Sequence, residues 1–226
     1  MTVEQLVIFD CDGVLVDSET ISNRVLAEML TEQGIPTTLR QSRAEYQGLL
    51  LDDILARAEG KLGRPFPDGW LGEYESRRDE VFAAELRAID GARELVESVI
   101  SRGVPVCVAS QGSLEKTNRS LTLTGLDRLF PPHARFSAHL VARGKPHPDL
   151  FLHAAATMGV DPARCVVVED TPSGVTAAVR AGMPVYGYAA DSDRDALEQA
   201  GARTFDSMGE LPAMLWREGQ LPADQG

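Results

Sequence analysis

Short apolar runs punctuate the chain at 5–10 (Gln-Leu-Val-Ile-Phe-Asp), 104–110 (Val-Pro-Val-Cys-Val-Ala-Ser), 164–169 (Arg-Cys-Val-Val-Val-Glu) and 183–189 (Met-Pro-Val-Tyr-Gly-Tyr-Ala). They are rich in β-branched residues and show no polar alternation, which predicts strands covered on both faces. A weaker strand is expected near Arg203–Phe205. Helical patterns separate these runs. Asp90 is placed to cap a helix carrying Leu95, Val96, Val99 and Ile100 on its apolar side, with Gly103 ending it. Residues 148–158 and 172–181 also read as helices, stopped by Gly159 and Gly182. This alternation predicts an α/β fold with a doubly wound parallel sheet. Right-handed crossovers would then gather the strand C-terminal ends on one edge, where such folds bind ligands.

The interval between the first two strands breaks the rhythm. From about Val16 to Ala88 the pattern is helical throughout. Ile21, Val25, Leu26, Met29 and Leu30 form one apolar stripe, ended by Gly34 and Pro36; residues 52–62 and 68–86 read as further helices. An ordinary crossover is far shorter. The interval is either an elaborate crossover or, as we expect, an α-helical cap domain inserted into the core. The expected organisation is a core of 1–15 and 89–216, a cap of 16–88, and a frayed polar tail of 217–226.

Charge narrows the function. The chain of 226 residues carries a net charge of −12, which disfavours nucleic acid as a partner because phosphate backbones need a basic footprint. A phosphorylated small molecule would likewise be repelled by the global field, so local donors or a cation must hold it. Cys11, Cys107 and Cys165 lie in or beside apolar runs and are odd in number, which reads as buried thiols in a reducing compartment. The N-terminus shows no basic-then-apolar leader, and no apolar run reaches the roughly 18 residues of a membrane span. We therefore expect a cytoplasmic protein with no membrane partner, and a monomer.

The candidate chemistry falls at the strand ends. Asp10-Cys11-Asp12-Gly13 follows the first strand, and two carboxylates so placed call for a cation; magnesium with oxygen ligands would serve. Gly13 lets the backbone turn so that amides point at an anion. Ser110, Gln111 and Gly112 end the second strand, with a hydroxyl and amides suited to a phosphate oxygen, and Ser113 is placed to cap the next helix. In Gly144-Lys145-Pro146-His147-Pro148 the prolines stiffen the loop and fix where Lys145 points. Glu169-Asp170 ends a strand too apolar for its acids to face the core. Each cluster has a bland alternative as a turn, a helix cap or a solvated lysine; together, in this order, they favour a site.

The segment Phe9-Asp10-Cys11-Asp12-Gly13-Val14-Leu15-Val16-Asp17-Ser18-Glu19 resembles the first motif of the haloacid dehalogenase-like hydrolase superfamily, and Ser110, Lys145 and Glu169-Asp170 match its second, third and fourth motifs. The resemblance covers nearly the whole chain. It implies a Rossmann-like core, a type-1 helical cap after the first strand, and a magnesium-dependent phosphatase working through an aspartyl-phosphate. By that resemblance Asp10 is nucleophile and metal ligand. Asp12 gives its backbone carbonyl to the metal and its side chain as general acid and base. Ser110 and Lys145 hold the phosphoryl oxygens, with Gln111 and Cys11 as further phosphate-binding candidates. Asp170 ligates magnesium, with Glu169 beside it as a metal-site or auxiliary acid.

Asp12 separates the branches. Dehalogenases of this superfamily keep no acid two residues after the nucleophile, so its presence favours phosphatase or phosphomutase. The sequence looks like the β-phosphoglucomutase and sugar-phosphate phosphatase branch. The mutase pattern places a histidine on the first cap helix and an arginine in the substrate loop; here those positions fall on Ser22 and near Leu51, against a mutase. The segments 9–19, 85–91 and 188–191 look most like phosphatases of 6-phosphogluconate and related sugar phosphates. Glu19, Asn23, Gln47, Gly48, Lys61 and Lys116 are candidate contacts to such a substrate. A phosphomutase, and a phospho-acceptor receiver domain with its own Asp, Ser/Thr and Lys, are the alternatives; the long helical insertion speaks against the receiver.

Overall fold

The computed structural model describes residues 5–47 and 49–217. Six parallel strands form one sheet: β1 (Leu6–Phe9), β2 (Val106–Ser110), β3 (Arg135–Ser137), β4 (Cys165–Glu169), β5 (Val185–Tyr188) and β6 (Arg203–Phe205), in the order β3-β2-β1-β4-β5-β6. The predicted strands are present. β3 was not read from the sequence: Arg135-Phe136-Ser137 offers one apolar residue, and as an edge strand it pairs only with β2.

Every residue of β1, β2 and β4 is buried, as strands covered on both faces require. Because side chains alternate, Leu6, Ile8, Cys107, Ala109, Cys165 and Val167 share one face and pack with α7 (Asp149–Met158) and α8 (Pro172–Arg180). All the cysteines are free and buried, and burial drives the thiols of Cys11 and Cys107 well above their ordinary range.

The chain divides into two compact units, at Val16/Asp17 and at Arg87/Ala88. The sheet unit also holds α5 (Ala92–Ser101), α6 (Leu114–Leu123), α9 (Arg194–Ala200) and α10 (Leu211–Arg217). Its helix stops are the glycines read from sequence: Gly103, Gly159 and Gly182 all have positive φ. One cap differs. Gly91, at φ 80°, precedes α5 in place of Asp90 and makes no side-chain cap, because the turn there needs the left-handed conformation.

The second unit is helical: α1 (Glu19–Glu32), α2 (Leu39–Tyr46), α3 (Leu51–Leu62) and α4 (Trp70–Glu85). α2 carries only Ser42 and Tyr46 as buried residues, so it shows no apolar stripe in the sequence. A full capping box fixes its start: Thr38 Oγ1 accepts from Gln41 N, and Gln41 Oε1 accepts from Thr38 N at 2.9 Å. Phe66 stacks on Trp70 with ring centroids 4.3 Å apart, and Arg78 lies over the rings of Tyr74 and Phe82. The tail expected from 217 lies, from 218 on, outside the described residues. No helix among the described residues is long and apolar enough to cross a membrane.

Candidate active site

The sheet order has its switch point at β1. The chain winds outward through β2 and β3, then returns to β4 on the other side of β1. The strand ends flanking this point are where a doubly wound sheet opens a crevice. Asp10 directly follows β1, Ser110 ends β2, and Glu169 ends β4 with Asp170 next.

A buried ion cluster sits there. Lys145 Nζ donates to Asp10 Oδ1, to Glu169 Oε1 at 2.6 Å and to the carbonyl of Ala109 at 3.0 Å. Nζ also lies over the Phe151 ring, 5.1 Å from its centroid. Burial works against the Lys145 ammonium, but the carboxylates of Asp10 and Glu169 outweigh it and hold the pKa above the ordinary lysine value. Asp10 is pushed from its ordinary 3.8 up to about 7, first by burial, with Lys145 opposing and Glu169 and Asp12 adding to the rise.

Asp12 lies two residues on, in a turn closed by Gly13 N donating to Val16 O at 2.9 Å. Gly13 has φ 80°. A Cβ on it would meet Asp170 Oδ2 at 2.2 Å, so only glycine lets the Asp170 carboxylate lie against this turn. The Asp12 carboxylate receives Lys116 Nζ at 2.6 Å and Ser110 Oγ at 3.3 Å. Ser110 Oγ in turn accepts from Gly112 N at 3.0 Å. Ser113 caps α6 as read, accepting from Lys116 N at 3.2 Å.

The cap of α8 is Thr171, whose Oγ1 accepts from Gly174 N at 3.1 Å, so Asp170 is not consumed as a helix cap. Glu169 engages both of its carboxylate oxygens. Its Oε1 takes Lys145, while Oε2 accepts from Asp170 N, Thr171 N and Thr171 Oγ1, each at 2.9 Å. With both oxygens engaged, it fits as a partner that orients Lys145. Gln111 and Cys11 have their own partners. The Gln111 side chain is engaged with the Lys145 peptide. The Cys11 side chain is buried, and its carbonyl accepts from Leu15 N and Val16 N at 3.0 Å.

The metal reading meets a charge count. Among the described residues of the sheet unit the buried ionic side chains are Asp10, Glu169, Asp170 and Lys145, three acids against one base. A proton on Asp10, whose pKa is raised to about 7, or a further cation would relieve that excess, and an all-oxygen set suits a hard divalent ion. Among the described residues no three His, Cys, Asp or Glu side chains form a metal cage. Asp10 and Asp170 would therefore be completed by backbone and non-protein oxygens, as magnesium tolerates.

Residues 4–182 match the haloacid dehalogenase-like hydrolase family. The chain belongs to that family. It is 31% identical over 214 residues to the 6-phosphogluconate phosphatase of Escherichia coli strain K12, covering 94% of this chain and 95% of that one. A conserved haloacid dehalogenase-like protein of Agrobacterium tumefaciens C58 has the same fold with a TM-score of 0.81 and 38% identity, over 96% of this chain and 99% of its own. A haloacid dehalogenase-family hydrolase of Deinococcus radiodurans R1, solved with bound phosphate and sodium, superposes with a TM-score of 0.80 and 32% identity, over 99% and 100% of the two chains.

In this haloacid dehalogenase-like hydrolase the helical unit's candidates are arranged among themselves. Asn23 is buried and bridges two helices: its Nδ2 donates to Glu19 O at 2.9 Å and Glu19 Oε2 at 3.1 Å, and its Oδ1 accepts from Ser42 Oγ at 2.9 Å. These bonds tether α1 to α2. Lys61 pairs with Glu45 and lies over the Tyr46 ring, and Gln47 N donates to Arg43 O at 3.3 Å. Gly48 lies outside the described residues. Sequence reasoning assigned Gly174 and Gly144 no role of their own beside the motif residues. A Cβ on Gly174 would fall 1.8 Å from Glu169 Oε1, and one on Gly144 2.7 Å from Gln111 Nε2. The glycines themselves were the available signal, each beside a motif residue.

Proposed function

We propose that this hydrolase is a magnesium-dependent phosphatase that releases phosphate from a small sugar phosphate, of the 6-phosphogluconate type, through an aspartyl-phosphate on Asp10. The observation that carries the reading is Asp10, buried at the switch point against Lys145, with a second carboxylate, Asp12, two residues away and held by Lys116 and Ser110. The 6-phosphogluconate phosphatase relative supports the substrate class, and the phosphate bound to the Deinococcus structure supports the ligand.

In this mechanism Asp10 attacks phosphorus in line with the leaving sugar oxygen, forming an O–P bond as the P–O bond to the sugar breaks. Asp12 gives the departing alkoxide its proton. It then takes one from the water that attacks the aspartyl-phosphate, which frees Asp10 and inorganic phosphate. Lys145 and Ser110 stabilise the phosphoryl oxygens, and Glu169 keeps Lys145 aimed. Magnesium, held by Asp10, Asp170 and the Asp12 carbonyl, would supply the remaining positive charge.

The test is phosphate release from a panel of sugar phosphates with magnesium, for wild type and Asp10→Asn. Release that disappears both in the variant and in EDTA supports the reading. An isomerised sugar phosphate without free phosphate would replace it with a mutase.

A further inference from the structure

We propose that Gln111 is a positioning residue for Lys145: its side-chain amide clamps the Lys145 peptide and so fixes the reach of the lysine ammonium to Asp10. The inference rests on the phosphatase reading for what Lys145 does there.

Lys145 is carried on a loop, not a strand. Pro146 and Pro148 contribute no N–H, so the loop has few main-chain donors with which to anchor itself. What anchors it is a side chain. Lys145 N donates to Gln111 Oε1 at 3.0 Å, and Gln111 Nε2 reaches back to Lys145 O at 3.5 Å. A primary amide offers one acceptor and two donors on a plane, so it can pair with both polar groups of a residue as a neighbouring strand would. Gln111 directly follows the last residue of β2, so the loop is fastened to the sheet itself.

A second observation points the same way. An ideal Cβ on Gly144 would stand 2.7 Å from Gln111 Nε2, 2.8 Å from Oε1 and 3.1 Å from Cδ. The amide therefore lies flat on the Gly144 backbone, and any larger residue at 144 would displace it. Elsewhere the loop is held by Arg180 Nη1 donating to Pro146 O at 2.9 Å. These contacts set the Cα of a long, flexible side chain whose Nζ must meet Asp10, Glu169 and the Ala109 carbonyl together. An ångström of slack at the backbone carries through to the ammonium, and misplacement of that size costs on the order of a hundredfold in rate at worst.

The test is a kinetic cycle on phosphate release from a sugar phosphate, with thermal melting of each variant. Gln111→Ala is expected to lower kcat about tenfold with little change in KM. In a Lys145→Ala background the same substitution is expected to cost nothing more, because there is no ammonium left to aim. Losses that multiply across the two backgrounds, or a rise in KM matching the fall in kcat/KM, would overturn the proposal in favour of a general structural role or direct phosphate contact. Gly144→Ala provides a second route. It is expected to reproduce the loss in wild type and to be silent in Gln111→Ala, where the space is vacated; equal losses in both backgrounds would count against the clamp. Independently of turnover, Lys145 N–H should exchange with solvent faster in Gln111→Ala, and unchanged exchange would refute the clamp. A wild type that releases no phosphate would fail the phosphatase reading, and exchange would still decide the clamp.

Discussion

Lys116 Nζ stands 2.6 Å from Asp12 Oδ1, joining residues 104 positions apart. Lys116 lies in the first turn of α6, where its charge meets the positive end of the helix macrodipole. Local helix chemistry therefore opposes a lysine there, and its pairing with Asp12 offsets that cost. Gly112 leaves room for the stem: a Cβ there would lie 3.3 Å from Lys116 Cδ. If this pair orients the acid that protonates the leaving group, Lys116→Ala should lower kcat/KM for sugar phosphates by roughly tenfold or more. It should lower it much less for p-nitrophenyl phosphate, whose leaving group needs no proton. Equal losses on both substrates would remove Lys116 from leaving-group chemistry.

The position of Asp10 makes a pH prediction. Its folded pKa is raised to about 7 from 3.8, so between those values the folded state binds a proton that the unfolded chain has released. Its contribution to stability is therefore full below about pH 4 and is lost as pH rises through 7. Asp10→Asn has no such term. Melting without magnesium should show wild type losing ground to Asp10→Asn from pH 4 to 7, by on the order of several °C. Parallel curves would mean that Asp10 is ionised throughout.

Magnesium should reverse that disadvantage. A ligand that binds only the folded state raises the melting temperature by mass action. Millimolar magnesium should stabilise wild type at pH 7.5 and leave Asp170→Asn nearly unmoved. Calorimetric titration checks the same point, and an undiminished binding isotherm in the variant would exclude Asp170 as a ligand.

Asn23 should behave as a structural residue. Asn23→Leu leaves the fully buried Ser42 hydroxyl without its acceptor, a loss of about 1–3 kcal/mol. The expected result is a lower melting temperature with KM for sugar phosphates unchanged in the folded protein. A raised KM at unchanged stability would return Asn23 to the substrate contacts.

The strands that carry the candidate site were legible because two rules coincided on them: β-branched runs and abrupt polar ends. β3 and α2 were not, since Arg135-Phe136-Ser137 and Leu39–Tyr46 bury too few apolar side chains to leave a period. The start of α5 was misplaced by one residue because Asp90 has the right chemistry for a cap while Gly91 has the required backbone angle. Within the site, residue types could be read but their partners could not. Lys145 reaches Glu169 across 24 residues and Lys116 reaches Asp12 across 104. Side-chain reach of that kind depends on strand order, which no local pattern encodes. Gln111 is the sharpest case, because a side chain suited to an anion is used on a peptide.

Strand order also has a consequence for how the protein is made. β1 pairs with β2 on one side and with β4 on the other. A chain growing from its N-terminus can assemble β3-β2-β1 once Ser137 has emerged, but the far edge of β1 stays bare until Cys165–Glu169 arrives. At about 5–20 residues per second that wait lasts a few seconds. During it Leu6–Phe9, buried throughout in the finished fold, offers an apolar strand edge to any neighbour. The nascent chain thus stays open to intermolecular pairing on that edge through the interval, and a pause between residues 137 and 165 during translation would lengthen it.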